Sequence, residues 1–260
     1  MISQSRALAL VCWSGVGVAA AAFVAFGYAT EVDRRQHAIR PEDGCLAYAP
    51  PPAITMVLND QTDPLAGDQP RRWRANLDEE VSRLSSGAVL FIGAIGPAAP
   101  TEMTSGKLCI PLASRGGRAS ELRQKFNDRL TQVGTALEQS PSTPRSAISA
   151  TIATAAGDVG FIGKTTGPRR LVVNSDLLEH DVASAYRPGG LDLPPLPRDA
   201  LKGVTVRFNV LRNERDYRLQ SRALIDAWTT WARNGGATSV EVNAPWLGFR
   251  MPPPVGANTP

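Results

Sequence analysis

The chain has 260 residues, 43% of them hydrophobic and 20% charged, with a net charge of +4. That composition is globular, and the length allows one large domain plus a tail or an anchor. The basic excess is small, and arginines alternate with acids, as in LRNERDYRLQSR from Leu211, so no nucleic-acid surface is expected.

Residues 1–6 are a short flank. From Ala7 to Tyr28 no charged residue occurs. A helix needs about 20 apolar residues to cross the hydrocarbon core, whereas a cleavable signal has an apolar core of only about 7–15. The length predicts an uncleaved transmembrane signal-anchor over residues 7–29. Cleavage after Ala29, with small residues around it, is the alternative. Residues 30–52 read as a polar linker ending in Pro50, Pro51 and Pro52, and residues 250–260 as a disordered proline-rich tail. Between them lies one domain, residues 53–249.

Within that domain Ile54–Asn59 is a short apolar run, hence a strand. The segment 70–84 places Trp73, Leu77, Val81 and Leu84 on one helix face. Ala88–Ile95 is a second buried strand, and Gly106–Leu112 a short edge strand. A helix follows with Leu122, Phe126, Leu130, Val133 and Leu137 on one face. SAISATIATAA, from Ser146, is a further Ala-rich helix. Leu171–Ser175 and residues 203–211 are strands. Residues 215–237 predict a long helix stopped by Gly235 and Gly236, and residues 238–243 a final strand. Trp228 and Trp231 on that helix suit core packing. Strands that alternate with helices and read as continuous apolar runs predict a three-layer α/β domain. Its sheet is mostly parallel, with one antiparallel edge strand and helices on both faces.

In such sheets ligands bind at the carboxyl ends of the strands. Two strand ends there are acid-rich: VLNDQTDPL around Asp60 and VVNSDLLEH around Asp176. Thr62 adds a hydroxyl near Asp60, and Ser146 another at the start of the Ala-rich helix. Carboxylates with hydroxyls and waters suit a hard divalent cation, Mg²⁺ or Mn²⁺. Taken singly, Asp60, Thr62, Asp63 and Asp176 suit helix caps or Asx-turns equally well. His37 and His180 are isolated. Zinc spacing, a GxSxG elbow and a P-loop are all missing from the sequence.

This order of elements resembles the von Willebrand factor A-type domain. DQTDP is similar to the D-x-S-x-S motif of its metal-ion-dependent adhesion site, with Asp60 and Thr62 matched and Pro64 at the second hydroxyl position. RSAISATI resembles its loop-to-helix segment, with Ser146 where threonine is usual. NSDLL resembles its SDG strand end, with Asp176 matched and Leu177 in place of glycine. The resemblance is to bacterial membrane-anchored members with a DxTDPL-like first motif. It implies a non-enzymatic module that binds a protein partner, with Asp60, Thr62, Ser146 and Asp176 around a degenerate metal site.

Two other readings stand beside it. DQT also faintly resembles the nucleophile loop of haloacid-dehalogenase-like phosphotransferases, with Asp60 as nucleophile beside Mg²⁺. That chemistry needs a downstream lysine and an acidic pair, and neither Lys164 nor Lys202 is followed by one. The third reading is a purely structural envelope scaffold.

Sidedness is read from charge and cysteine. Arg34, Arg35 and Arg40 follow the apolar span, which by the positive-inside rule would keep the body in the cytoplasm. Against this, Cys45 and Cys109 are the body's two cysteines. In an A-type sheet the segment entering the central first strand and the end of an antiparallel edge strand share one rim. A Cys45–Cys109 bridge would then form in an oxidising compartment. The expectation is a single-pass protein of a bacterial inner membrane, with its body in the periplasm.

Overall fold

The computed structural model describes residues 21–33, 38, 40, 44–60, 69–96, 106–111, 117–138, 146–158, 161–179, 186–187, 190–213 and 216–248. The chain divides into two compact units. The first, residues 1–42 with Leu46–Ala49, holds a helix, α1, over residues 21–33. Phe23, Val24, Phe26 and Tyr28 on it are all exposed. Most of the predicted span, residues 7–20, lies outside the described residues. Among the described residues, no helix is long and apolar enough to cross a membrane.

The second unit joins Asp43–Cys45 to everything from Pro50 onward. Its elements are β1 (Ile54–Asp60), α2 (Gln69–Ser82), β2 (Val89–Ile95), β3 (Gly106–Cys109), α3 (Gly117–Glu138), α4 (Ile148–Gly157) and β4 (Arg169–Ser175). There follow β5 (Tyr186–Arg187), β6 (Gly190–Leu191), β7 (Val204–Val210), α5 (Arg222–Asn234) and β8 (Ser239–Asn243). A 3₁₀ turn over Pro245–Leu247 comes after β8. β5 and β6 make a separate two-stranded hairpin. The other six strands form one sheet in the order β3-β2-β1-β4-β7-β8. Only β3 runs antiparallel to its neighbour, which matches the expected fold of a mostly parallel sheet with one antiparallel edge strand.

Strand alternation sends side chains to two helix layers. Ile54, Met56 and Leu58 of β1, Leu171 and Val173 of β4, and Val206 and Phe208 of β7 face one side. There they pack with Ile148 and Ile152 of α4 and Trp228 of α5. Val57, Leu90, Ile92 and Val172 face the other, against Trp73 and Leu77 of α2 and Phe126 of α3. Trp228 and Trp231 are buried and meet edge to face at 5.2 Å, as the helix pattern predicts.

Three details depart from the sequence reading. The long helix does not begin at residue 215. It begins after Ser221, whose hydroxyl accepts from Leu224 N at 3.3 Å. Helical spacing in the residues before it loses to local side-chain bonds. Gln220 is buried and fastens the preceding loop, accepting from Asn213 N at 2.8 Å and donating to Leu211 O at 2.7 Å. The helix then ends at Gly235 and Gly236, and Gly236 takes φ +90, which only glycine adopts readily.

The second departure is Pro50–Pro52, which docks on the body. Pro51 O accepts from Thr165 Oγ1 at 2.8 Å and Thr166 N at 3.1 Å. A Cβ on Gly167 would meet Pro52 O at 2.0 Å, so glycine lets the two backbones touch. The third is the β5–β6 hairpin, which the sequence reading lacks.

Cys45 and Cys109 are disulfide-bonded, with Cα atoms 5.1 Å apart and a sequence separation of 64. Cys109 pairs with Val89, which in turn pairs with Ile54. The bridge therefore sits at the amino-end rim of the sheet, as the topological reading expects. Closing such a loop stabilises by roughly 4 kcal/mol on the chain-entropy model.

Candidate functional site

The strand order reverses at β1. From it, β2 and β3 run one way, and β4, β7 and β8 the other. In an open α/β sheet the crevice at such a reversal, outside the carboxyl ends, is where ligands sit. Asp60 ends β1 and Ser175 ends β4, its neighbour across the reversal. Both carboxyl-end carboxylates of the sequence reading, Asp60 and Asp176, are therefore at the switch point. Each is 8% exposed.

The segment Ser175–Glu179 organises the rim by bonding to a different element at nearly every residue. Ser175 Oγ donates to Asp60 Oδ2 at 2.6 Å and accepts from Leu177 N at 2.9 Å. Asp176 Oδ1 accepts from Leu178 N at 2.8 Å, an Asx-turn, and its Oδ2 accepts from Asn213 Nδ2 at 2.7 Å. Gln220 Nε2 donates to Asp176 O at 2.9 Å. Leu177 O accepts from Trp228 Nε1 at 2.9 Å. Leu178 O accepts from Ser146 Oγ at 2.9 Å, and Glu179 Oε2 from Ser149 N at 2.7 Å. The Glu179 carboxylate thus lies at the amino end of α4, where the helix dipole favours negative charge.

Leu177 has φ +61. The left-handed conformation costs an ordinary residue roughly 1–2 kcal/mol. Leu177 is fully buried, and its packing offsets the strain.

Of the four residues expected to hold a cation, Asp60, Ser146 and Asp176 meet around this one segment. Thr62 lies outside the described residues, as do Asp63, Pro64, His37 and His180. The oxygen-only donor set has the chemistry a hard divalent ion prefers. Yet Asp60, Ser146 and Asp176 already hold internal hydrogen bonds, with which an ion would compete. Among the described residues no group of three or more His, Cys, Asp or Glu is placed to hold a metal. Lys164 and Lys202 precede β4 and β7, at the amino ends of those strands and across the sheet from Asp60.

Sequence reasoning missed the row just beneath the rim. Asn59, Asn174, Asn209 and Asn243 occupy matching register positions on four adjacent strands. They bond head to tail. Asn243 Nδ2 donates to Asn209 Oδ1 at 3.4 Å, Asn209 Nδ2 to Asn174 Oδ1 at 2.8 Å, and Asn174 Nδ2 to Asn59 Oδ1 at 2.7 Å. Trp73 Nε1 also donates to Asn59 Oδ1. Two donors on that oxygen fix the amide orientation. One row further from the rim, Arg207 is 1% exposed and pairs with Glu80, itself 2% exposed. Arg207 Nε donates to Asn209 Oδ1 at 3.1 Å, joining the ion pair to the ladder. The available signal was an asparagine near the end of each of four predicted strands.

Two solved structures resemble the chain loosely. One is an aerotolerance-related membrane protein from Bacteroides fragilis with multiple mutations to serines. Its TM-score is 0.41 at 14% identity, covering 74% of this chain and 92% of that one. The other is the conserved hypothetical protein BatB from Bacteroides thetaiotaomicron, with a TM-score of 0.40 at 12% identity, covering 73% and 89%. No family model and no curated protein matches the chain.

Proposed function

We propose that this protein is a membrane-tethered, non-enzymatic A-type-like binding module that presents the carboxyl-end rim of its sheet to a protein partner. The observation that carries this reading is the Ser175–Glu179 segment, whose side chains and carbonyls are tied to β1, α4, the loop before α5, and α5 itself. A rim held in one arrangement lowers the ordering cost of binding. A phosphoryl-transfer site would instead need a lysine beside Asp60, and Lys164 and Lys202 lie toward the other end of the sheet.

The metal belongs to the same reading. Asp60, Ser146 and Asp176, with Thr62, are the residues that would hold Mg²⁺ or Mn²⁺, and competition with their internal bonds makes the binding weak. The ion would supply a positive charge for an acidic group of the partner.

Turnover separates binding module from enzyme. The full-length protein with Mg²⁺ is expected to hydrolyse no generic phosphate ester. Turnover that disappears in Asp60→Asn would promote the phosphotransferase.

The disulfide supports a sidedness within the same reading. A bridge buried in the fold favours an oxidising compartment, so the body is assigned to the periplasm and residues 7–29 to the inner membrane. Thiol labelling of denatured, unreduced protein from intact membranes checks it. Cys45 and Cys109 should stay unlabelled, and full labelling of both would place the body in the cytoplasm.

A further inference from the structure

Away from the strand-end rim, α5 borders a groove whose outer end is open at the exposed Ala223 and whose floor reaches the buried Trp231. Ala223, Ala227 and Trp231 face Leu193, in the segment after β6, across this groove of about 590 Å³. The small side chains Ala223 and Ala227 make the room, and Leu193 and Trp231 supply apolar floor. The far wall is preformed. Trp231 Nε1 donates to Pro194 O at 2.7 Å, and Leu196 Cδ1 fills the space in which Gly235 lacks a side chain. Pro194, Pro195 and Pro197 stiffen the same wall.

Among the residues whose side chains are described, the charged ones on the groove's lining are Asp192 and Asp226. Both carboxylates are exposed, and neither has an ion pair with a described residue. In a chain of net charge +4 this is a local reversal of sign. We infer that this groove docks a short extended peptide segment of a partner protein, with an apolar side chain on the Leu193–Trp231 floor and a lysine or arginine beside Asp192 and Asp226. Apolar burial would supply affinity and the two carboxylates orientation and selectivity. The groove is separate from the Asp60 rim and does not depend on the reading of that rim.

The test uses full-length protein in zwitterionic detergent, with protein-free micelles as the blank. The probe is a fluorescein-labelled hexapeptide, Lys-Leu-Gly-Lys-Leu-Gly, followed by anisotropy at low salt. It should bind, and its glutamate counterpart, Glu-Leu-Gly-Glu-Leu-Gly, should not bind measurably. Asp192→Asn with Asp226→Asn should weaken binding roughly fivefold or more, since exposed pairs contribute modestly. Ala227→Trp, which fills the floor, should abolish it whatever the charge. Asp60→Ala should leave it unchanged, which separates this groove from the rim. Absence of binding by the lysine peptide, equal binding of the glutamate peptide, or indifference to both groove variants would overturn the inference.

Discussion

The two faces of the central sheet are built on different principles. Under α4 and α5 the strands present Met56, Leu58, Leu171, Val173, Val206 and Phe208, and the face is held by apolar packing. Under α2 and α3 the same strands present Val57 and Val172 to Trp73, Leu77 and Phe126, and beside them a polar row of Asn59, Asn174, Arg207 and Asn209, buried just as deeply. The first face tolerates volume-conserving exchange, because one aliphatic contact resembles another. The second does not, because its bonds run between specific donors and acceptors, such as Asn209 Nδ2 to Asn174 Oδ1 and Asn174 Nδ2 to Asn59 Oδ1, and an orphaned partner keeps its full desolvation cost. The polar row ties strand register together just beneath the rim that carries Asp60 and Asp176.

The comparison breaks most visibly at the ion pair. Glu80→Ala leaves Arg207 buried with less compensation, and should destabilise by about 3–5 kcal/mol in urea unfolding. Exchanging both partners together, Glu80→Leu with Arg207→Met, should recover much of that loss. If Glu80→Ala is nearly silent, the polar face is not structural. The ladder gives the next effect. Asn174→Ala removes a donor to Asn59 and an acceptor from Asn209, so a loss of about 1–3 kcal/mol is expected from the same experiment. Outside both faces, Ser221→Ala removes the α5 cap and should cost about 1 kcal/mol. A loss as large as the ladder's would mean that the loop before α5, which holds Asp176 through Asn213 and Gln220, shares in the rim's stability.

The apolar packing of both faces was legible in the sequence, and the polar row on one of them was not. Runs such as ITMVLND and RRLVVNS declare buried parallel strands directly, and their order gave the three-layer α/β architecture with the antiparallel β3 at its edge. The disulfide followed from that topology. An asparagine near a strand end, however, reads as a turn residue. Asn59 and Asn174 are 115 positions apart, and only parallel register makes them neighbours. Arg207 and Glu80 were hidden in the same way, as an ordinary strand arginine and an ordinary helix acid. At the rim, Asp60, Ser146 and Asp176 were visible because short motifs carry them. Ser175, Glu179 and Asn213 were not, since their roles depend on where the segment after β4 turns. That turn needs a left-handed residue, and Leu177 is a side chain that gives no local hint of it.

The most direct test of the rim is a calorimetric Mn²⁺ titration of the full-length protein beside Asp60→Ala. The account predicts weak, saturable binding to the wild type and none to the variant, with a matching metal-dependent rise in Tm confined to the wild type. Absence of metal binding by the wild type, or binding undiminished in Asp60→Ala, would contradict a cation site at the switch point and leave the rim carboxylates as caps and tethers.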